Sequence, residues 1–154
     1  MENQWFECKV KFDKNAEDGK IIKVNDSYLV NALSFTEAEA RIIEEMKPYI
    51  SGEFEVSNIK RVKIQELFEN EQGGNWYRAK IELITFDDEK NIEKRTPLAY
   101  YVCASTIKDA HEGIVAGLKN TMADYEIVTL TKTAITDIFK YVVPEKKVSE
   151  TTVD

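Results

Sequence analysis

The chain has 154 residues, of which 43% are hydrophobic and 32% charged, and a formal net charge of −7. A chain of that size and apolar content can bury a core of its own, so disorder throughout is excluded. The negative sign means that the average surface repels phosphate backbones and anionic membranes, and any contact with them has to be local.

The first residues, Met1-Glu2-Asn3-Gln4-Trp5, are polar. They form neither an apolar signal core nor an Arg-rich transit pattern, and no apolar run reaches membrane-spanning length, so a cytoplasmic protein without membrane contact is expected. Trp5 to Phe12 alternates as a strand does, with Phe6, Cys8, Val10 and Phe12 on one face. A turn follows at Asp13 to Gly19, then a second strand around Tyr28-Leu29-Val30-Asn31-Ala32. Ser34 with Glu37 caps a helix whose stripe is Ala38, Ile42, Met46 and Ile50, and a further strand runs from Phe54. The polar, Gly-containing stretch Glu69 to Asn75 reads as a surface turn.

The same elements then recur. Trp5-Phe6-Glu7-Cys8-Lys9-Val10 returns as Trp76-Tyr77-Arg78-Ala79-Lys80-Ile81, and Tyr28 to Ala32 returns as Tyr100 to Ala104. Thr106 with Asp109 caps the second helix, whose stripe would be Ala110, Ile114, Leu118 and Met122, and Phe54 through Phe68 matches Tyr125 through Phe139. The expected fold is α+β, an internal tandem duplication of a β-β-α-β unit, with pseudo-twofold symmetry and two helices on mixed or antiparallel sheet. It is either one continuous sheet or two packed sheets. Residues 1–141 make one duplicated domain, with repeats at 4–69 and 75–141, and 142–154 read as a mobile tail. Cys8 and Cys103 both fall inside expected strands, which fits small core residues in a reducing compartment.

Trp5-Phe6-Glu7-Cys8-Lys9, the run Leu33-Ser34-Phe35-Thr36-Glu37-Ala38-Glu39-Ala40-Arg41-Ile42, Gly52-Glu53-Phe54 and Ile59-Lys60-Arg61-Val62-Lys63 carry a resemblance. The chain resembles an uncharacterised small domain of unknown function found mainly in Bacteroidetes, over nearly its whole length. The second half departs further from that pattern, which fits a phage-borne member. The resemblance implies a bacterial or bacteriophage setting and supplies no activity or site residues.

Acid–base catalysis and metal binding need side chains that this pattern does not assemble. The single histidine, His111, falls early in the second helix, where the first has Glu39. Asp87-Asp88-Glu89 reads as a hairpin turn rather than a calcium loop. No catalytic residue, metal site or cofactor is expected, and the protein is expected to act by binding.

Three kinds of ligand fit the pattern. On the faces opposite the core, the two first strands carry Trp5, Lys9 and Lys11, and Trp76, Arg78 and Lys80, with Lys60, Arg61 and Lys63 able to extend the patch. Aromatics beside cations suit single-stranded nucleic acid, by stacking and phosphate contact. Against it stands the charge of each half, 10 Lys and Arg facing 15 Asp and Glu up to Glu71, then 11 facing 13. The alternative for each Trp is a ring folded over the sheet edge or against the other half, with Lys or Arg stems covering it. A second possibility is assembly with itself or another protein, because Gly113 and Gly117 break the symmetry of the second helix. Their alternative role is tight packing against the other half. A third is a small-molecule sensor with Tyr28, Tyr100 and Tyr101 lining a pocket between the repeats.

Overall fold

The computed structural model describes residues 3–140, so the expected tail at 142–154 lies outside the described residues. Ten elements follow in order: β1 (Gln4–Asn15), β2 (Ile21–Ala32), α1 (Phe35–Met46), β3 (Phe54–Val62), β4 (Glu66–Phe68), β5 (Asn75–Asp87), β6 (Ile92–Ala104), α2 (Ile107–Gly117), β7 (Asp124–Lys132) and β8 (Ile135–Phe139). The fold is α+β, with two separate mixed sheets of four strands rather than one continuous sheet.

Local chemistry sets the element ends. Asp18 Oδ1 accepts from the Lys20 amide at 3.0 Å in the β1–β2 turn, where Gly19 takes φ +82°. Asp87 Oδ1 accepts from the amides of Glu89 and Lys90 in the β5–β6 turn. Ser34 Oγ accepts from Glu37 N at 3.1 Å while the Glu37 carboxylate accepts from Leu33 N at 2.7 Å, and Thr106 Oγ1 accepts from Asp109 N at 3.1 Å.

The chain divides into two compact units, one of residues up to Arg61 together with those from Asp137 onward, the other Val62–Thr136. In the first, the sheet order is β3-β1-β2-β8, and Phe6, Cys8, Val10, Tyr28 and Val30 meet Ala38, Ile42 and Met46 of α1 in the core. In the second, the order is β4-β6-β5-β7, and Tyr77, Ala79, Ile81, Tyr100 and Val102 meet Ala110, Ile114 and Leu118 of α2. Read from the other edge, this is the same arrangement, β7-β5-β6-β4.

The unit boundaries at Arg61 and Asp137 do not fall at the turn 69–75 between the sequence halves. Each half ends in a short strand that the other unit uses. β4, from the first half, pairs in parallel with β6, Glu66 to Phe68 facing Tyr100 to Val102. β8, from the end of the second half, lies beside β2. Phe68 stacks on Tyr100 and Phe139 on Tyr28, both at 5.8 Å between ring centroids. Arg41 of α1 fixes β8 by donating to both Asn31 O of β2 and Lys140 O. The expected β-β-α-β unit therefore gains a fifth element in each half.

One core expectation fails. Met122 is 99% exposed, because α2 stops at Gly117 and the chain then turns, Thr121 N bonding Leu118 O. A four-residue period ends with its helix. The matching Ile50 keeps its place in the first core by bonding its amide to Met46 O.

Candidate functional site

The strand register places the expected binding residues as the alternation requires. Trp5, Glu7, Lys9 and Lys11 of β1 lie opposite Asn31, Leu29, Ser27 and Asn25 of β2, on the face away from α1. Trp76, Arg78 and Lys80 of β5 lie opposite Cys103, Tyr101 and Ala99 of β6, and on the other side Arg78 and Lys80 face Thr131 and Thr129 of β7.

The aromatic part of the expected patch is not open. Trp76 is 7% exposed and Trp5 is half-buried. A ring enclosed as Trp76 is offers no free face for a base to stack on. The missed signal was present: Tyr28 to Ala32 and Tyr100 to Ala104 are buried at every residue, and near-continuous apolar runs mark strands covered on both faces.

The cations divide by environment. Lys9, Lys11, Arg78 and Lys80 are exposed, and among the described residues none of the four is in an ion pair. Lys60 instead pairs with Glu7 at 3.6 Å. Arg61 is turned toward the helix side of its sheet, its guanidinium 5.9 Å from the Phe6 ring and 5.2 Å from the Phe35 ring, and so is not on the Trp5 face. Lys63 follows β3, exposed. Lys11 rims an open depression of about 440 Å³ at the end of the first sheet, where Asp13, Glu53, Glu55 and Lys23 also stand around Phe12 and Phe54. Beyond Lys80 the second face turns acidic. Arg95 is held there by Glu126 at 2.6 Å, Glu93 at 2.9 Å and Glu82 at 3.1 Å, and these hydrogen bonds raise its pKa further.

Gly113 and Gly117 face inward within their own unit. A Cβ on Gly113 would stand 2.9 Å from Val102 Cγ2, and one on Gly117 would enter the ring of Phe68. These glycines let α2 approach β6 and β4, although Gly117 itself is exposed and Gly113 half-buried. Phe68 comes from the first sequence half, in keeping with the packing alternative. Tyr28 and Tyr100, expected at a pocket, are core residues stacked under Phe139 and Phe68. His111 is exposed on α2, and among the described residues no three His, Cys, Asp or Glu side chains are grouped to hold a metal ion. None of the described helices is long and apolar enough to cross a membrane.

Two buried groups make stability depend on pH. Burial, then the charges of Glu7 and Glu39, pushes the Cys8 thiol from 9.0 up to about 12. Burial, then the charge and hydrogen bond of Asp26, pushes the Tyr28 phenol from 10.0 up to about 12. The folded state holds both protons more tightly than the unfolded chain, so this stability is whole below the unfolded values and is lost as pH rises toward the folded ones. The urea midpoint is expected to hold level up to about pH 9 and then fall through about pH 12, Cys8 contributing first. A level midpoint through about pH 11 would contradict the assignment.

The model of DUF4494, a domain of unknown function, matches residues 4–141. The chain belongs to that family. The DUF4494 match takes in both compact units and both exchanged strands, so β4 and β8 lie inside the family's domain. No curated protein matches this DUF4494 chain.

Proposed function

We propose that this DUF4494 chain is a duplicated, non-enzymatic binding protein of the cytoplasm, and that it binds single-stranded nucleic acid through strand cations rather than by stacking on its tryptophans. The observation that carries the reading is the four exposed cations Lys9, Lys11, Arg78 and Lys80, at alternate positions on equivalent strands and outside the ion pairs that occupy Lys60 and Arg95. Their exposed neighbours in the register are Asn25, Thr131 and Thr129, side chains that hydrogen-bond phosphate and sugar oxygens. The recurrence of one strand order in both units supports the duplication. Cys8 and Cys103 are buried and not joined in a disulfide, which fits a reducing compartment.

The test is anisotropy of a labelled single-stranded oligonucleotide, titrated with the protein at low and moderate salt. Binding is expected to weaken with salt, with a log–log slope of about −0.7 for each phosphate contact. Arg78→Glu with Lys80→Glu should reduce that slope by about 1.4 and leave the circular dichroism spectrum unchanged. Saturable binding that ignores both salt and the charge reversals would sink the proposal.

A second reading, a protein-binding module, is favoured by apolar residues at the far ends of the two long hairpins. Ile21 and Ile22 at one hairpin end, and Phe86 and Ile92 at the other, are all more than half exposed, and exposed apolar residues clustered at one place mark interaction sites. Failure of the oligonucleotide titration would leave this reading in place.

A further inference from the structure

We infer that the open depression at the end of the first sheet binds a free amino acid with a guanidinium side chain. The depression holds about 440 Å³ and is lined by five charged side chains, Lys11, Asp13, Lys23, Glu53 and Glu55. All five are exposed. Among the described residues none of them is in an ion pair, although Asp13 and Lys23 are partners in the strand register. Charges of both signs, gathered in one concavity and left unpaired, suit a ligand that itself carries both signs. Phe12 and Phe54 add apolar surface for its stem.

The second unit shows which group such a place takes. Its strands β7, β5 and β6 stand in the order of β3, β1 and β2, and Arg95 lies across from Ile84 as Lys23 lies across from Asp13. There the Arg95 guanidinium donates to Glu126 at 2.6 Å, Glu93 at 2.9 Å and Glu82 at 3.1 Å. Glu55 matches Glu126 in the sequence, so the first unit keeps the carboxylate that holds the guanidinium most closely and has no guanidinium for it. A ligand supplies that group, whose planar fork suits carboxylates better than an ammonium does. Lys11 stands where the second unit has Glu82, and with Lys23 it offers cations to the ligand's α-carboxylate. The lining charges leave the depression one negative charge in excess, and an arginine-like amino acid brings one positive charge in excess. Residues two apart on a strand are ~7 Å apart and three strands span ~10 Å, a space that an extended arginine bridges.

The test is a titration of the full-length, nitrogen-15-labelled protein with L-arginine at constant ionic strength, followed by amide NMR. Saturable shifts centred on residues 11–13, 23–25 and 53–55 are expected, at arginine concentrations up to ~10 mM. L-Lysine, with an ammonium in place of the fork, should bind about tenfold more weakly. Glu55→Gln should weaken arginine binding by about tenfold. Lys23→Gln should weaken arginine but not agmatine, which lacks the carboxylate. Both side chains are exposed, so amide positions elsewhere in the spectrum should stay unchanged and show that the variants fold. No saturable shift at those residues, equal binding of lysine and arginine, or full binding by Glu55→Gln overturns the proposal. The site shares only Lys11 with the oligonucleotide face, and the reversals at Arg78 and Lys80 lie in the other unit, so either reading can fail without the other.

Discussion

Gly117→Leu is expected to destabilise the protein by about 1–3 kcal/mol, the cost of overpacking a filled site. The new side chain must displace the Phe68 ring, which lies where its Cβ would stand. Leucine is the better helix former by almost 1 kcal/mol, so a net loss despite that gain would identify the clash as the cause. Phe68→Ala alone removes a ring from the second core and from its stack on Tyr100, and should cost about 2–3 kcal/mol because the ring is only partly buried. The two changes share one contact, so the double variant should be more stable than the sum of the singles predicts, by about 0.5–3 kcal/mol in a urea-melt cycle. Additive losses would mean that Phe68 does not occupy the space over Gly117. An unchanged fold with an altered mass would instead support the assembly role for that helix face.

Phe139→Ala should destabilise the first unit by about 2–3 kcal/mol, although the residue lies far along the chain from the strands it supports. Its ring stacks on Tyr28 and packs against the core of β1, β2 and α1. Loss of the ring leaves Tyr28 with a vacant side and weakens the hold on β8 that Arg41 shares. Native-state hydrogen exchange separates local from global effects. Amides of β1 and β2 should lose protection more than those of β5 and β6. Full retention of protection in β1 and β2 would show that β8 contributes nothing to that sheet.

Both predictions concern residues whose roles are set by tertiary contacts. Leu67-Phe68 and Ile138-Phe139 resemble each other in sequence and stand at corresponding positions of the two sheets, so their likeness was legible. Their destination was not. A three-residue strand such as β4 has too few positions to show alternation, and its pairing with β6 joins residues far apart in sequence. Gly117 could be read as a site of close approach, but the ring that approaches it comes from the other sequence half.

The binding face divides along the same line. Alternation placed Lys9, Lys11, Arg78 and Lys80 on one side of their strands because side chains change face at each residue, and the register agrees. The same alternation put Trp76 beside Arg78 without telling that the strand end is covered on both faces. Arg61 belonged to a basic triplet in the sequence, yet its guanidinium lies over Phe6 and Phe35. A run of charges records composition, whereas the side to which each points depends on the strand that carries it.

The sequence by itself determined the local structure: two long hairpins, two capped helices, the inward faces of β1 and β5, and one order of elements met twice. Those features follow from periodicity, capping and turn chemistry, which act over a few residues. Only the tertiary structure decided that the halves form two sheets, that each sheet takes its last strand from the other half, and that Trp76 is enclosed while the cations beside it stay open. Strand pairing across the chain and coverage of a second face depend on which surfaces meet after collapse, and the backbone hydrogen bonds that join distant strands are the same for every residue type.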